Sequence, residues 1–438
     1  MVQDKTGISR RQILGGALAG TTAATLPIAR STRSTVQAQE TTIEYWHPPH
    51  GPDPDAEEQF LQGMIDQFQQ QNAGIKVNLT ILPWADAYQK WTTAIAAGAP
   101  PDVSISGSEA AIQFAAEGHL MPVTDLVPVA DPADPNYFGM LPYFRYQEQY
   151  WQVPYIAGAW VLFYNPDMLA AAGQTGAPTT WDQVKQLAQA TTKDGTFGFP
   201  LSFAKNYTCN QAYMCMQSAW GTGALTPEGK VDMTSQGMVD VTRFYTSFMT
   251  EKLTPPDALS WTGPDELIAY FTNGKAPMAA IYGNRAARIM DAAKSNGVNV
   301  AIANMPMGPG ERPGSYGATN GHMIFAKAKN PDAAKLFISF LHKDENLVPW
   351  SKVTGWLPPT KTAAESPELA APGFQAMRDQ LTAGAVVRNG YAFGGHPANG
   401  VVEGQLLFAD MLQEIVVSGT SVEDALAAYQ TKLEEMYA

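Results

Sequence analysis

The stretch His47-Pro48-Pro49-His50-Gly51-Pro52-Asp53-Pro54-Asp55 gathers two imidazoles and two carboxylates, the donor types that hold a divalent metal. The spacing matches no established ligand pattern and the prolines make a stiff loop, so a loop without metal is the preferred reading, a divalent metal stays open as the alternative, and no cofactor is expected. Hydrolysis of a glycosidic bond needs two carboxylates facing each other about 5–10 Å apart. Asp102, Glu109 and Asp167 are the nearest candidates, but capping or solvation accounts for each. No GxSxG, Walker A or HExxH motif is present, and no catalytic residue is expected. Cys209 and Cys215 are the only cysteines. A bridge between them requires Cys209 to precede the helix that carries Cys215, and bridge and free pair both stay open.

Aromatic residues offer a different chemistry. Trp46, Trp84, Tyr155, Trp220, Tyr282, Tyr316 and Trp356 fall at the ends of predicted strands or in linkers. A sugar presents hydroxyls that want paired donors and acceptors, and C–H faces that lie well against aromatic rings. Core packing explains any one of these residues alone; taken together, ligand contact is expected of about half of them.

The elements that must position them alternate. Strand character at Ile43–Trp46, helical spacing over Ala56–Asn72, alternation at Ile75–Ile81, a helix holding Tyr88, Trp91 and Ile95, and a strand at Asp102–Ile105 predict a parallel sheet with crossover helices. Such sheets bind ligands at the carboxyl ends of their strands, here His47, Trp84, and Ser106 with Ser108, the last read as a helix cap. Val153–Asp167 (VPYIAGAWVLFYNPD) reads as a strand buried on both faces, either an interdomain crossing or the central strand of one domain. Beyond it helices alternate with short strands, Gly and Pro cluster over Met305–Tyr316 as a second linker, and the remainder is largely helical.

The 438 residues exceed what one core normally serves, favouring two lobes. A net charge of -13 excludes a basic nucleic-acid or membrane footprint and suits a neutral or cationic small ligand. Ser9-Arg10-Arg11 before the apolar Ile13–Ile28 reads as a twin-arginine export signal cleaved after Ala38, with no cysteine there for a lipid anchor.

Several separated motifs then converge: Thr42–His47, Ala99–Val103, Gly118–Val123, Leu162–Asn165, Phe271–Met278 and Thr354–Pro359. In this order they resemble the extracellular solute-binding proteins, family 1, of carbohydrate-uptake ABC transporters, over essentially the whole chain after the signal. The resemblance implies an α/β periplasmic-binding-protein-like fold of type 2, each lobe a mostly parallel sheet flanked by helices, joined by a two- or three-strand hinge. It implies residues 1–38 as signal, 41–154 and 314–345 as lobe 1, 159–306 and 346–438 as lobe 2, and crossings near 153–160 and 305–316. It implies a monomer that traps a small carbohydrate by hinge closure and delivers it to membrane permease subunits, without chemistry and without nucleic acid.

Carried over, the ligand-contacting positions are Trp46, His47, Trp84, Ser106, Ser108, Tyr155, Gly158, Trp220, Tyr282, Asn284, Tyr316, Gly317, Asn320 and Trp356. Gly158 falls where relatives often carry a polar hinge residue, and Tyr282 with Asn284 where they often carry Trp. Glycerol-phosphodiester binders share the Tyr-Trp-His opening but use an arginine before a late Pro-containing loop. This chain reads Phe393-Gly394-Gly395-His396-Pro397 there, with Arg388 nearby, so sugar is preferred over a phosphodiester or another polyol. A glycoside hydrolase and an open-faced surface lectin are the readings from other classes.

Overall fold

A computed structural model describes residues 40–127, 134–226, 228–318, 320–383 and 396–438. The N-terminal stretch read as an export signal, Arg388 and Phe393–Gly395 lie outside them.

Strand β1 (Thr41–His47) pairs in parallel with β2 (Ile75–Ile81) from Thr41 opposite Ile75 to His47 opposite Ile81. The helix Pro54–Gln71 joins them. Asp53 starts it by accepting from the Ala56 amide, and the helix buries Leu61, Met64, Ile65 and Phe68 on one stripe. After the helix Trp84–Ala96, β3 (Val103–Gly107) pairs in parallel with the other edge of β1. Beyond the helix Ser108–Ala116, β4 (Leu120–Met121) and a hairpin of β5 (Arg145–Tyr146) and β6 (Gln149–Tyr150) lead to β7 (Val153–Pro154) and β8 (Gly158–Tyr164).

Trp160, Val161, Leu162 and Phe163 of β8 are at most 1% exposed, the burial on both faces expected of that run. Burying each such side chain contributes about 1.5–3 kcal/mol. Asn165 ends the strand and opens the next helix by accepting from the Asp167 and Met168 amides, with Pro166 in the first turn.

Later strands are β9 (Met278–Tyr282), β10 (Ala301–Ala303), β11 (Gly317–Ala318) and β12 (Asn320–Phe325). The first sheet runs β2-β1-β3-β12-β4, with β7 also on β12; the second is built on β8, paired with β9, β10 and β11. The architecture is a two-lobed α/β one. Strand direction corrects the expectation of two mostly parallel sheets, because all three neighbours of β8 are antiparallel to it. For β11 the cause is direct: β8 carries the chain away from the first sheet, and a returning strand beside it must oppose it.

Three segments cross between the lobes. Trp160 N donates to Tyr316 O, Tyr155 N donates to Asn320 O, and Ala157 and Leu357 exchange both backbone hydrogen bonds. The last crossing comes later than the expected boundary at 346, since the helix Asp344–Thr354 still lies against the helix Pro54–Gln71. Nor is the Gly- and Pro-rich stretch from Met305 a free linker. A Cβ on Gly308 or Gly314 would stand 2.1 or 2.2 Å from backbone atoms of Ala219, so these glycines let the chain press onto the helix Tyr207–Trp220.

Candidate functional site: an aromatic cleft over the crossing strands

A cavity of about 580 Å³ opens where the lobes meet. Ile156, Trp160, Ala318 and Asn320 of the crossing segments line it, as do Pro49–Gly51, Trp84 with Tyr88, and Gly107 with Glu109, which follow the carboxyl ends of β1, β2 and β3. That is where open α/β sheets bind ligands. Tyr207, Gln211, Tyr282, Asn284, Trp356 and Glu403 are also among its lining residues.

Its aromatic side chains are held from behind. Trp84 Nε1 donates to Pro49 O at 2.6 Å, and Trp356 Nε1 to His50 O at 2.8 Å. Asn284 Nδ2 reaches the same His50 carbonyl at 3.2 Å and Thr354 O at 3.4 Å. The His50 carbonyl therefore gathers donors from the end of β9 and from the third crossing. Trp356 meets Tyr282 edge to face at 4.8 Å. Trp160 and Asn284 line the wall, and Trp160 Nε1 and Asn284 Oδ1 are buried without a hydrogen-bond partner.

Charge on the wall is mixed. Lys205 Nζ pairs with Asp410 at 2.6 Å and Arg285 approaches Asp265 at 3.7 Å. Burial first, then the charges of Glu403 and Glu109, push the Tyr207 phenol well above its usual range, keeping it a neutral donor.

Directly behind the 49–51 loop runs a buried chain of hydrogen bonds. Glu57 Oε2 accepts from the amides of His50 (2.8 Å) and Gly51 (2.6 Å), and Glu57 Oε1 meets His47 Nε2 at 2.7 Å. His47 Nδ1 meets Tyr45 Oη at 2.6 Å, Tyr45 Oη meets His322 Nε2 at 3.0 Å, and His322 Nδ1 meets His342 Nε2 at 3.0 Å. Burial raises the Glu57 carboxyl, but the hydrogen bond and charge of His47, with His50 and the Gly51 amide, outweigh it and hold the group below its usual value. Burial and then neighbouring His47 push His50 down to about 3.

Of the expected positions, Trp84, Tyr282, Asn284, Asn320 and Trp356 line the cavity. The others are placed elsewhere. Trp46 packs beside Leu82, Trp91 and Phe114. His47 is fully buried against Glu57. Ser106 Oγ is buried and accepts from Gln152. Ser108 is buried as the first residue of its helix, with Gly107 and not Ser108 in the capping position. Tyr155 packs on His322 and Trp350. Gly158 is covered by Trp356, and Gly317 is buried in its pairing with Ala159.

Tyr316 is fully buried one layer back, donating to Glu403 Oε1 at 3.0 Å. Trp220 ends a helix whose first turns reach the cavity, roughly 20 Å away at 1.5 Å per residue, and packs on Phe244. The cavity residues missed include Tyr207 and Gln211 near the start of that helix. Asn206, which caps it by accepting from the Cys209 amide, was the available signal. Both cysteines are free and buried, Cys209 inside the helix rather than before it. Of the hydrolase candidates, only Glu109 reaches the cavity; Asp102 accepts from the Glu44 and Lys329 amides.

Two lobes, three crossings and a cleft between them define a solute-binding protein. The profile of the family described as bacterial extracellular solute-binding protein matches residues 52–347, and the chain belongs to that family, whose members bind solutes rather than transform them. A binding protein of Brucella abortus strain 2308 is 27% identical over 318 residues, covering 70% of this chain and 74% of that one. A solute-binding protein of an ABC transporter from Thermotoga lettingae, bound with alpha-D-tagatose, superposes with a TM-score of 0.77 at 20% identity, covering 91% of this chain and all of that one. A sugar transporter protein from Arthrobacter chlorophenolicus with bound laminaribiose gives a TM-score of 0.77 at 21% identity, covering 90% and 99%. Maltose-bound MalE3 of T. maritima gives 0.74 at 21%, covering 90% and 100%. Among the described residues no helix is long and apolar enough to cross a membrane.

Proposed function

We propose that this protein captures a sugar of one or a few rings in the interlobe cleft, closes on it about the crossing segments, and delivers it to the permease of an ABC importer. The observation that carries the reading is the wall itself: Trp84, Tyr282 and Trp356 offer ring faces or edges, beside the side-chain amides of Gln211, Asn284 and Asn320, a residue set that suits sugar rings and hydroxyls. Sugar ligands in the similar structures support it. In this reading the chain acts as a monomer, leaves the cell by the twin-arginine route, and works on the outer face of a prokaryotic membrane. Lobe 1 comprises 41–154 with 314–354, which extends it through the helix Asp344–Thr354, and lobe 2 comprises 159–306 and the segment after the third crossing.

A thermal-shift and calorimetric screen over monosaccharides, short oligosaccharides, polyols and glycerol phosphodiesters tests this. Saturable sugar binding without product, together with contraction in small-angle scattering, is the expected result. Silence toward every sugar, or turnover of an oligosaccharide, would overturn it; binding confined to the phosphodiesters would transfer the same cleft to that ligand class.

A further inference from the structure

Four of the chain's six histidines, His47, His50, His322 and His342, stand in or beside the chain of hydrogen bonds that starts at Glu57. Most of it is fully satisfied, with one exception. His50 Nδ1 is buried without a side-chain hydrogen-bond partner, 3.9 Å from Glu57 Oε1 and with the Pro48 backbone beside the ring, and the side chain is 2% exposed. His47 Nε2, His50 Nδ1 and Glu57 Oε1 all lie within 4.8 Å of one another.

We propose that His47, His50 and Glu57 form a binding site for a divalent transition metal, of which Zn²⁺ is the test case, directly behind the sugar cleft. Two imidazole nitrogens and a carboxylate oxygen are a sufficient protein donor set, with water at the fourth position. Donors about 2.0–2.2 Å from one tetrahedral ion stand roughly 3.3–3.6 Å apart. The His47–Glu57 pair at 2.7 Å must therefore open, the His50–Glu57 pair at 3.9 Å must close slightly, and the two imidazole nitrogens, within 4.8 Å of each other, must settle at the same spacing.

The frame suits such a site. Glu57 Oε2 is fixed by two backbone amides, leaving Oε1 as the ligand. The prolines on either side of His50 restrict its loop, and His50 lines the cleft, which gives the ion a way in. The outer partners can follow without net change in protons. His47 carries its proton on Nε2 toward Glu57; on metal binding that nitrogen supplies its lone pair and the proton resides on Nδ1, donated to Tyr45 Oη. Tyr45 then donates to His322 Nε2, His322 to His342 Nε2, and each imidazole has moved one proton from Nε2 to Nδ1. In the structure Asn320 Nδ2 donates to His50 Nε2 at 3.1 Å; when His50 Nδ1 takes the metal its proton resides on Nε2 instead, and Asn320 turns its amide oxygen to accept it.

The test uses the untagged full chain, incubated with Zn²⁺, freed of excess by gel filtration and measured by elemental mass spectrometry, with Co²⁺ absorption as the second readout. About one metal per chain, with intense visible Co²⁺ bands, is expected. In His50→Gln, whose backbone amide and carbonyl contacts persist, affinity should fall at least about tenfold, and likewise in Glu57→Gln. Absence of retained metal in the wild-type protein overturns the proposal, and so does metal retained equally by both variants. Sugar binding is scored separately in metal-free protein, so failure of one reading leaves the other standing.

Discussion

The indole of Trp356 fills the space that a side chain on Gly158 would need: a Cβ built on Gly158 stands 2.4 Å from Cζ3 and 2.5 Å from Cε3 of that ring. The indole cannot simply swing away, because its Nε1 is committed to the His50 carbonyl. A glycine on one crossing segment and a tryptophan on another thus form one unit of the cleft floor.

Gly158→Ala should destabilise the protein by about 1–3 kcal/mol, the range for overpacking, and weaken sugar binding. Combining it with Trp356→Ala should recover stability but not affinity. Denaturant melts and calorimetry of the three variants check this; additive losses of stability would show that the two positions are uncoupled.

Trp84 is fixed through Pro49 O and faces the cleft. Trp84→Ala should lower sugar affinity about ten- to a hundred-fold, whereas Trp220→Ala, on the far end of its helix, should leave it unchanged. Equal losses in a calorimetric titration would contradict the placement of the site.

Gly400 seats the helix Ala398–Gly404 against the helix Ser108–Ala116, where a Cβ would meet Gln113 Oε1 at 2.5 Å and the Glu109 carbonyl at 2.8 Å. Gly400→Ala should push this wall outward. The expected outcome is weaker ligand binding and a larger radius of gyration by scattering.

His342 is pushed down to about 3 by burial, and His322 well below its usual value by burial and then by His342. Below about pH 6.5 the unfolded chain takes up protons on these groups that the folded chain refuses. Stability should therefore be lost as pH falls from about 6.5 toward 3, by up to about 1.4 kcal/mol per pH unit for each group. Tm measured from pH 7 to 5 should fall, and His342→Gln should flatten the slope.

Cys209 and Cys215 are buried thiols, the first raised to about 12 by burial and the second accepting from the Tyr316 amide at 3.1 Å. Thiol reagents should label neither in the native protein and both in denaturant. A reductant should not shift Tm.

The residues missed by sequence reading fail for identifiable reasons. Glu57 stands four and seven positions before Leu61 and Met64, on the buried stripe of its helix. A carboxylate on an apolar stripe was a legible sign of a buried partner. Nothing local announces that the partner is His47, because helix and strand ends meet only in the folded lobe. His322 and His342 are farther still, joined to Tyr45 across 277 and more positions. Trp220 and Tyr207 belong to one helix, and composition cannot say which end faces the ligand.

By itself the sequence determined what depends on neighbours along the chain. It specified the doubly buried run of β8, the alternation that builds two lobes, and aromatic residues where strands end. These follow from side-chain periodicity and local hydrogen bonding. Only the tertiary structure decided the antiparallel second sheet, the third crossing at 354–357, the seating of Trp356 over Gly158, and the joining of His47, His50 and Glu57. Each of these is a contact between segments far apart in sequence, fixed by how whole elements pack and by the need to satisfy polar groups that packing buries.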